Sequence, residues 1–136
     1  MVPSLALIHG ALAHGRVWAP LLEALQPEAV PIRIELPGHG DAEDWDRSRD
    51  FTDQAVELAL SAMPREPVPL IGHSYGAAVA LRIAVERPYR VSSLVLIEPP
   101  FYAAVKGSYL FDKVTRDMAP IWKKVEAMSR VTLSNR

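Results

Sequence analysis

Short runs of aliphatic and β-branched residues, bounded by Pro or Gly, alternate along the chain with longer stretches whose apolar residues recur at helical spacing. The first run, over 5–8, predicts a strand. A turn over 9–15 follows, then a helix over 17–25 that sets Trp18, Leu21, Leu22 and Leu25 on one face and is closed by Pro27. A second strand is predicted over 30–36. Pro37, Gly38, His39 and Gly40 then open a polar loop, rich in Asp and Arg, that runs to about residue 50 and is expected to be the most flexible segment. Next come a helix over 52–63 capped by Thr52 or Asp53, and a strand over 68–71 set up by Pro64, Pro67 and Pro69 and ending at Gly72. A helix over 76–87, apolar almost all round and so expected to be buried, leads to a strand over 93–97 that stops at Glu98-Pro99-Pro100. Strands separated by helices imply the α/β class: a three-layer sandwich around a short parallel sheet of about four strands.

Beyond Pro100 no strand pattern recurs. Val114, Met118, Ile121, Trp122, Val125 and Met128 instead return at helical spacing and form one apolar face, with Pro120 either starting or kinking the helix. That face either packs on the body or belongs to a mobile lid over a pocket. With no repeat, low-complexity tract or linker, residues 1–136 read as one domain, 1–100 as its core and 101–136 as a helical, lid-like segment.

Composition narrows the choice of partners. Fifteen basic residues against sixteen acidic ones give a net charge of −1 without any run of one sign, so no footprint for nucleic acid or an anionic membrane appears. A small neutral or apolar molecule suits this chain better. The absence of cysteine removes thiol nucleophiles, disulfides and thiolate metal sites. The first fifteen residues lack a basic segment and are interrupted by His9-Gly10, which argues against a signal peptide and for a cytoplasmic protein. No run approaches the roughly 18 apolar residues of a membrane span.

The chemistry concentrates at Gly72-His73-Ser74-Tyr75-Gly76, a Gly-x-Ser-x-Gly segment placed between a predicted strand and a predicted helix. In that context the glycines let the chain turn sharply, and the turn lifts the Ser74 hydroxyl to the N-terminus of the next helix, where backbone N–H groups favour an oxyanion. The Tyr75 N–H is one candidate donor. A second, from Ala11, is available in His9-Gly10-Ala11 after the first strand. No metal-ligand spacing or phosphate-binding glycine loop is present, so neither a metal nor another cofactor is implied.

Four segments in order, LALIHGALAHGRVW, IELPGHGD, LIGHSYGAAVALRIA and SLVLIEPP, resemble the α/β-hydrolase family from its third to its sixth strand, over about residues 4–100. The resemblance implies a spatial strand order of second, first, third, fourth, with a crevice at the reversal between the first and third strands. It also implies Ser74 as nucleophile, Ala11 and Tyr75 as oxyanion-hole donors, and Gly10, Gly72, His73 and Gly76 as elbow and framework residues.

The family activates its serine with a histidine after the last strand and usually orients that histidine with an acid after the seventh; this chain ends before either. Of its own histidines, His9, His39 and His73 read as structural, while His14 is the least implausible substitute base and otherwise a surface residue. Glu98 matches a position where a minority of the family carries its acid, and reads otherwise as a pocket-rim or capping carboxylate. The expectation is a serine hydrolase acting on ester, thioester or similar acyl bonds, truncated and weakly active or inactive alone. The alternative is a catalytically silent binding or interaction module, and acyl transfer is a third outcome of the same elbow. A fourth strand with nothing to cover its outer edge further suggests a homo-oligomer.

Overall fold

The computed structural model describes residues 2–26, 28–100 and 107–134; within the last stretch, side chains are described only in part. The described residues fall into two compact units, one reaching to Pro100 and one lying beyond Phe101.

In the first unit, strands β1 (Ser4–Ile8), β2 (Val30–Ile34), β3 (Val68–His73) and β4 (Val91–Ile97) form one sheet in the order β2-β1-β3-β4. Every pairing is parallel: Ala6 lies opposite Ile32 on one side and Leu70 on the other, and Leu70 opposite Leu94. This is the strand order the family resemblance implied.

Handedness then fixes the layers. Stepping from β1 to β2 runs one way across the sheet and every later step runs the other, so right-handed crossovers place their helices on opposite faces. Helix α1 (Ala19–Leu25), after a 3₁₀ turn at Gly15–Trp18, packs Leu22 and Trp18 against Leu5 and Leu7 on one face. Helices α2 (Phe51–Ala62) and α3 (Tyr75–Glu86) cover the other face, where Ala6, Ile8, Ile34 and Leu70 meet Ala55, Ala59, Val79 and Ile83. Three layers result, as the alternation of strands and helices predicted.

Several boundaries differ from the sequence pattern for local reasons. Strand β2 ends at Ile34, because Leu36 is held by a histidine instead of a ladder partner: its N–H donates to His9 Nε2 at 3.1 Å. Helix α2 starts at Phe51 and is capped by Asp50, whose side chain accepts from the Asp53 N–H at 2.9 Å, so neither Thr52 nor Asp53 is the cap. Strand β3 runs on past Ile71 through Gly72 to His73, carrying the ladder to the edge of the elbow. Strand β4 begins at Val91, set off by a short 3₁₀ turn at Pro88–Arg90. Helix α3 is buried on one side only; it rests on the sheet and flanks α2, leaving Val85 72% exposed. The polar loop before α2 is anchored by Gln54, a largely buried side chain that accepts from the Asp46 N–H at 2.9 Å and donates to the Asp46 carbonyl at 2.8 Å. The expected helix closure at Pro27 lies outside the described residues.

The second unit contains helix α4 (Tyr109–Ser134). Pro120 lies inside it, so it does not start the helix; a proline there removes one backbone hydrogen bond without ending the element. The side chains of Trp122, Val125 and Met128, half of the expected apolar face, lie outside the described residues. Among the described residues no helix is long and apolar enough to cross a membrane.

Candidate active site

Gly72 and Gly76 permit the turn that joins β3 to α3. A methyl group on Gly76 would lie 2.3 Å from the carbonyl oxygens of both Ile8 and His9, and one on Gly72 would lie 2.4 Å from the Gly76 carbonyl oxygen. Those approaches leave no room for any side chain, so the helix can press against the end of β1 only with glycine at both places. Between them Ser74 takes φ 52° and ψ −118°, a backbone conformation that L residues seldom adopt. It is clamped there by its neighbours: its N–H donates to the Ile97 carbonyl at 2.9 Å, and its own carbonyl accepts from the Ala77 and Ala78 N–H groups at 2.9 and 3.3 Å.

Ser74 is the N-cap residue of α3, yet its hydroxyl makes no capping hydrogen bond. Serine at that position ordinarily spends its oxygen on the first-turn amides. Here the strained backbone turns the hydroxyl away from that task, leaving the hydroxyl and the Tyr75 N–H available to something else.

The loop after β1 comes up beside this turn. A methyl group on Gly10 would sit 3.2 Å from Ser74 Cβ, so the backbone of Gly10 borders the serine, and among the described residues the N–H of the next residue, Ala11, donates to no protein acceptor. Tyr75 points its ring back toward α2, where its hydroxyl is hydrogen-bonded to Thr52 Oγ1 and its ring meets Phe51 edge-on.

The remaining candidates stand as follows. His73 Nε2 lies 3.7 Å from a Glu98 carboxylate oxygen, in a pair whose side chains are 40% and 83% exposed, so solvent screens the attraction heavily. Glu98 itself is at φ 49°, a sharp turn at the end of β4. His14 caps the 3₁₀ turn, its Nδ1 accepting from the Arg16 N–H at 3.2 Å. His9 is fully buried, with Nδ1 donating to the Gly10 carbonyl at 2.7 Å, and burial pushes its pKa down. His39 joins the backbone of Pro37 and Leu12. Among the described residues no imidazole is hydrogen-bonded to the Ser74 hydroxyl. Sequence reasoning overlooked Glu35, which accepts from the Gly15 N–H at 2.9 Å and brings its other carboxylate oxygen 2.9 Å from His9 Nε2. No local pattern signals it, because both contacts join residues distant in sequence.

The model of the alpha/beta hydrolase family matches residues 5–133. The chain belongs to that family. Similar members include a lipase of Mycobacterium tuberculosis, LipV, 36% identical over 115 residues that make up 82% of this chain and 42% of the lipase. A pimeloyl-[acyl-carrier protein] methyl ester esterase of Nitrosomonas europaea is 35% identical over 95 residues, 70% of this chain and 36% of the esterase. Among solved structures, a thioesterase domain from the curacin biosynthetic pathway superposes with a TM-score of 0.65 at 29% identity, over 85% of this chain and 44% of that one. The chain thus spans roughly two fifths of the length of these family members.

Proposed function

We propose that this chain carries the nucleophile half of a serine hydrolase acting on carboxylic ester, thioester or similar acyl bonds. The observation that carries the reading is Ser74: an N-cap serine held at positive φ by flanking glycines, its hydroxyl free of any capping bond. In this reading Ser74 Oγ attacks the acyl carbonyl, and the Ala11 and Tyr75 N–H groups stabilise the oxyanion as it forms. The serine nucleophile and the ester-cleaving relatives point the same way, since a lipase, a methyl ester esterase and a thioesterase all act on an acyl carbon.

The reading needs a general base from outside the four histidines, three of which are committed to backbone groups and the fourth paired with Glu98. A further polypeptide segment or a second chain supplies it, and Glu98 serves at most as that base's orienting acid. Missing a triad member, serine hydrolases keep roughly 10³–10⁴-fold catalysis over water. An activated aryl ester is therefore expected to be hydrolysed by the wild-type chain measurably faster than by Ser74→Ala, with added alcohol or amine diverting product if acyl transfer competes. Equal rates for the two proteins would reject the hydrolase reading. They would favour a silent binding or interaction module, a reading for which the one-sided pairing of β4 is the supporting observation.

A further inference from the structure

The loop that offers the Ala11 N–H is held by little regular structure. One turn bond closes it, from the Ala13 N–H to the Gly10 carbonyl at 3.3 Å, and Leu12 sits at φ 62° with its side chain 93% exposed, so no packing fixes it. Two imidazoles hold it instead. His9 Nδ1 donates to the Gly10 carbonyl at 2.7 Å, and His39 Nε2 accepts from the Leu12 N–H at 3.1 Å. The far nitrogen of each ring is fixed in turn: His9 Nε2 accepts from the Leu36 N–H at 3.1 Å, and His39 Nδ1 donates to the Pro37 carbonyl at 2.9 Å. The rings lie 5.4 Å apart.

Backbone groups have fixed roles, a carbonyl accepting and an amide donating, so the bonds to Pro37 and Leu12 put the His39 proton on Nδ1 and leave its Nε2 bare. His9 likewise carries a proton on Nδ1, while its Nε2 faces both the Leu36 N–H and, at 2.9 Å, a Glu35 carboxylate oxygen. The two bonds to the loop also bracket Ala11. A trans peptide points its N–H opposite to its C=O, so holding the Gly10 carbonyl fixes the direction of the Ala11 N–H, and holding the Leu12 N–H fixes the peptide plane on the other side.

We propose that His9 and His39 are paired positioning residues that, through the His9 Nδ1–H and the bare His39 Nε2, lock the peptide planes on both sides of Ala11 and keep its N–H aimed as an oxyanion donor beside Ser74. The inference rests on the reading of Ala11 as part of an oxyanion hole.

The test uses the full chain, labelled at Ser74 with a fluorophosphonate and followed by intact mass, together with thermal unfolding and nitrogen-15 NMR of the imidazoles and amides. His39→Leu is expected to slow labelling at neutral pH about tenfold or more at an unfolding temperature near wild type. His39→Gln, whose side-chain oxygen can accept from Leu12, is expected to recover most of the rate. A wild-type rate in His39→Leu, a failure of His39→Gln to recover, or an Nε2–H tautomer for His39 would overturn the proposal. If the wild-type chain does not label at all, the hydrolase reading falls separately. NMR then decides the clip: a coupling across the hydrogen bond between the Leu12 amide and His39 Nε2 supports it, and the absence of that coupling in the folded chain overturns it.

Discussion

At the scale of single residues, the site depends on atoms that are missing as much as on those present. Gly76 lets α3 approach the end of β1 so closely that a methyl group would lie 2.3 Å from two carbonyl oxygens. Gly76→Ala is therefore expected to destabilise the chain by at least about 1–3 kcal/mol, since backbone cannot swing aside as a flexible side chain can. A urea unfolding midpoint unchanged from wild type would show that the elbow is looser than described. His9 adds a pH dependence to stability. Burial, opposed only in part by the Gly10 carbonyl and Glu35, lowers its folded-state pKa below the ordinary 6.5. The unfolded chain then binds the extra proton more readily, so this contribution is complete above about pH 6.5 and is lost as pH falls through the lowered folded value. Unfolding midpoints measured from pH 8 downward should drop on that acid side, and His9→Asn should flatten the drop. The Gly-x-Ser-x-Gly segment was legible in the sequence because glycine spacing is a local property. Glu35 was not, because its value comes from meeting His9 and Gly15, which no local pattern encodes.

At the scale of elements, periodicity located every strand and helix of the first unit, while their ends were set by side chains that periodicity does not weigh. Asp50 shows the difference. The sequence pattern offered Thr52 or Asp53 as the cap, but the helix begins one residue earlier and Thr52 is drawn off to the Tyr75 hydroxyl. Asp50 alone closes the first turn, onto the Asp53 N–H. Asp50→Ala is expected to cost about 1 kcal/mol, seen as a lower unfolding temperature, whereas Asp53→Asn should leave the cap intact. The polar loop read as flexible from its composition is pinned through the buried amide of Gln54, a contact that composition does not reveal.

At the scale of the whole molecule, the two edges of the sheet are built differently. Strand β2 carries Pro31 and Arg33, residues that discourage further pairing. Strand β4, Val-Ser-Ser-Leu-Val-Leu-Ile, carries no proline or charge, pairs among the described residues only with β3, and leaves Val95 50% exposed. An edge of that kind recruits another strand. Light scattering is expected to find the chain self-associated or poorly soluble, with Val95→Lys shifting it toward monomer; a monodisperse wild-type monomer would argue that β4 is shielded. The strand order was legible from the order of motifs along the chain, because right-handed crossovers leave few ways to thread them. The base that completes the chemistry was not legible, since no imidazole of this chain is left unengaged beside Ser74.

The nucleophile itself is tested most directly by fluorophosphonate labelling of purified wild type and Ser74→Ala, both shown to be folded and read by intact mass. One covalent adduct per wild-type chain and none on Ser74→Ala is the predicted result. An unlabelled but folded wild type, or equal labelling of both proteins, would contradict the assignment of Ser74.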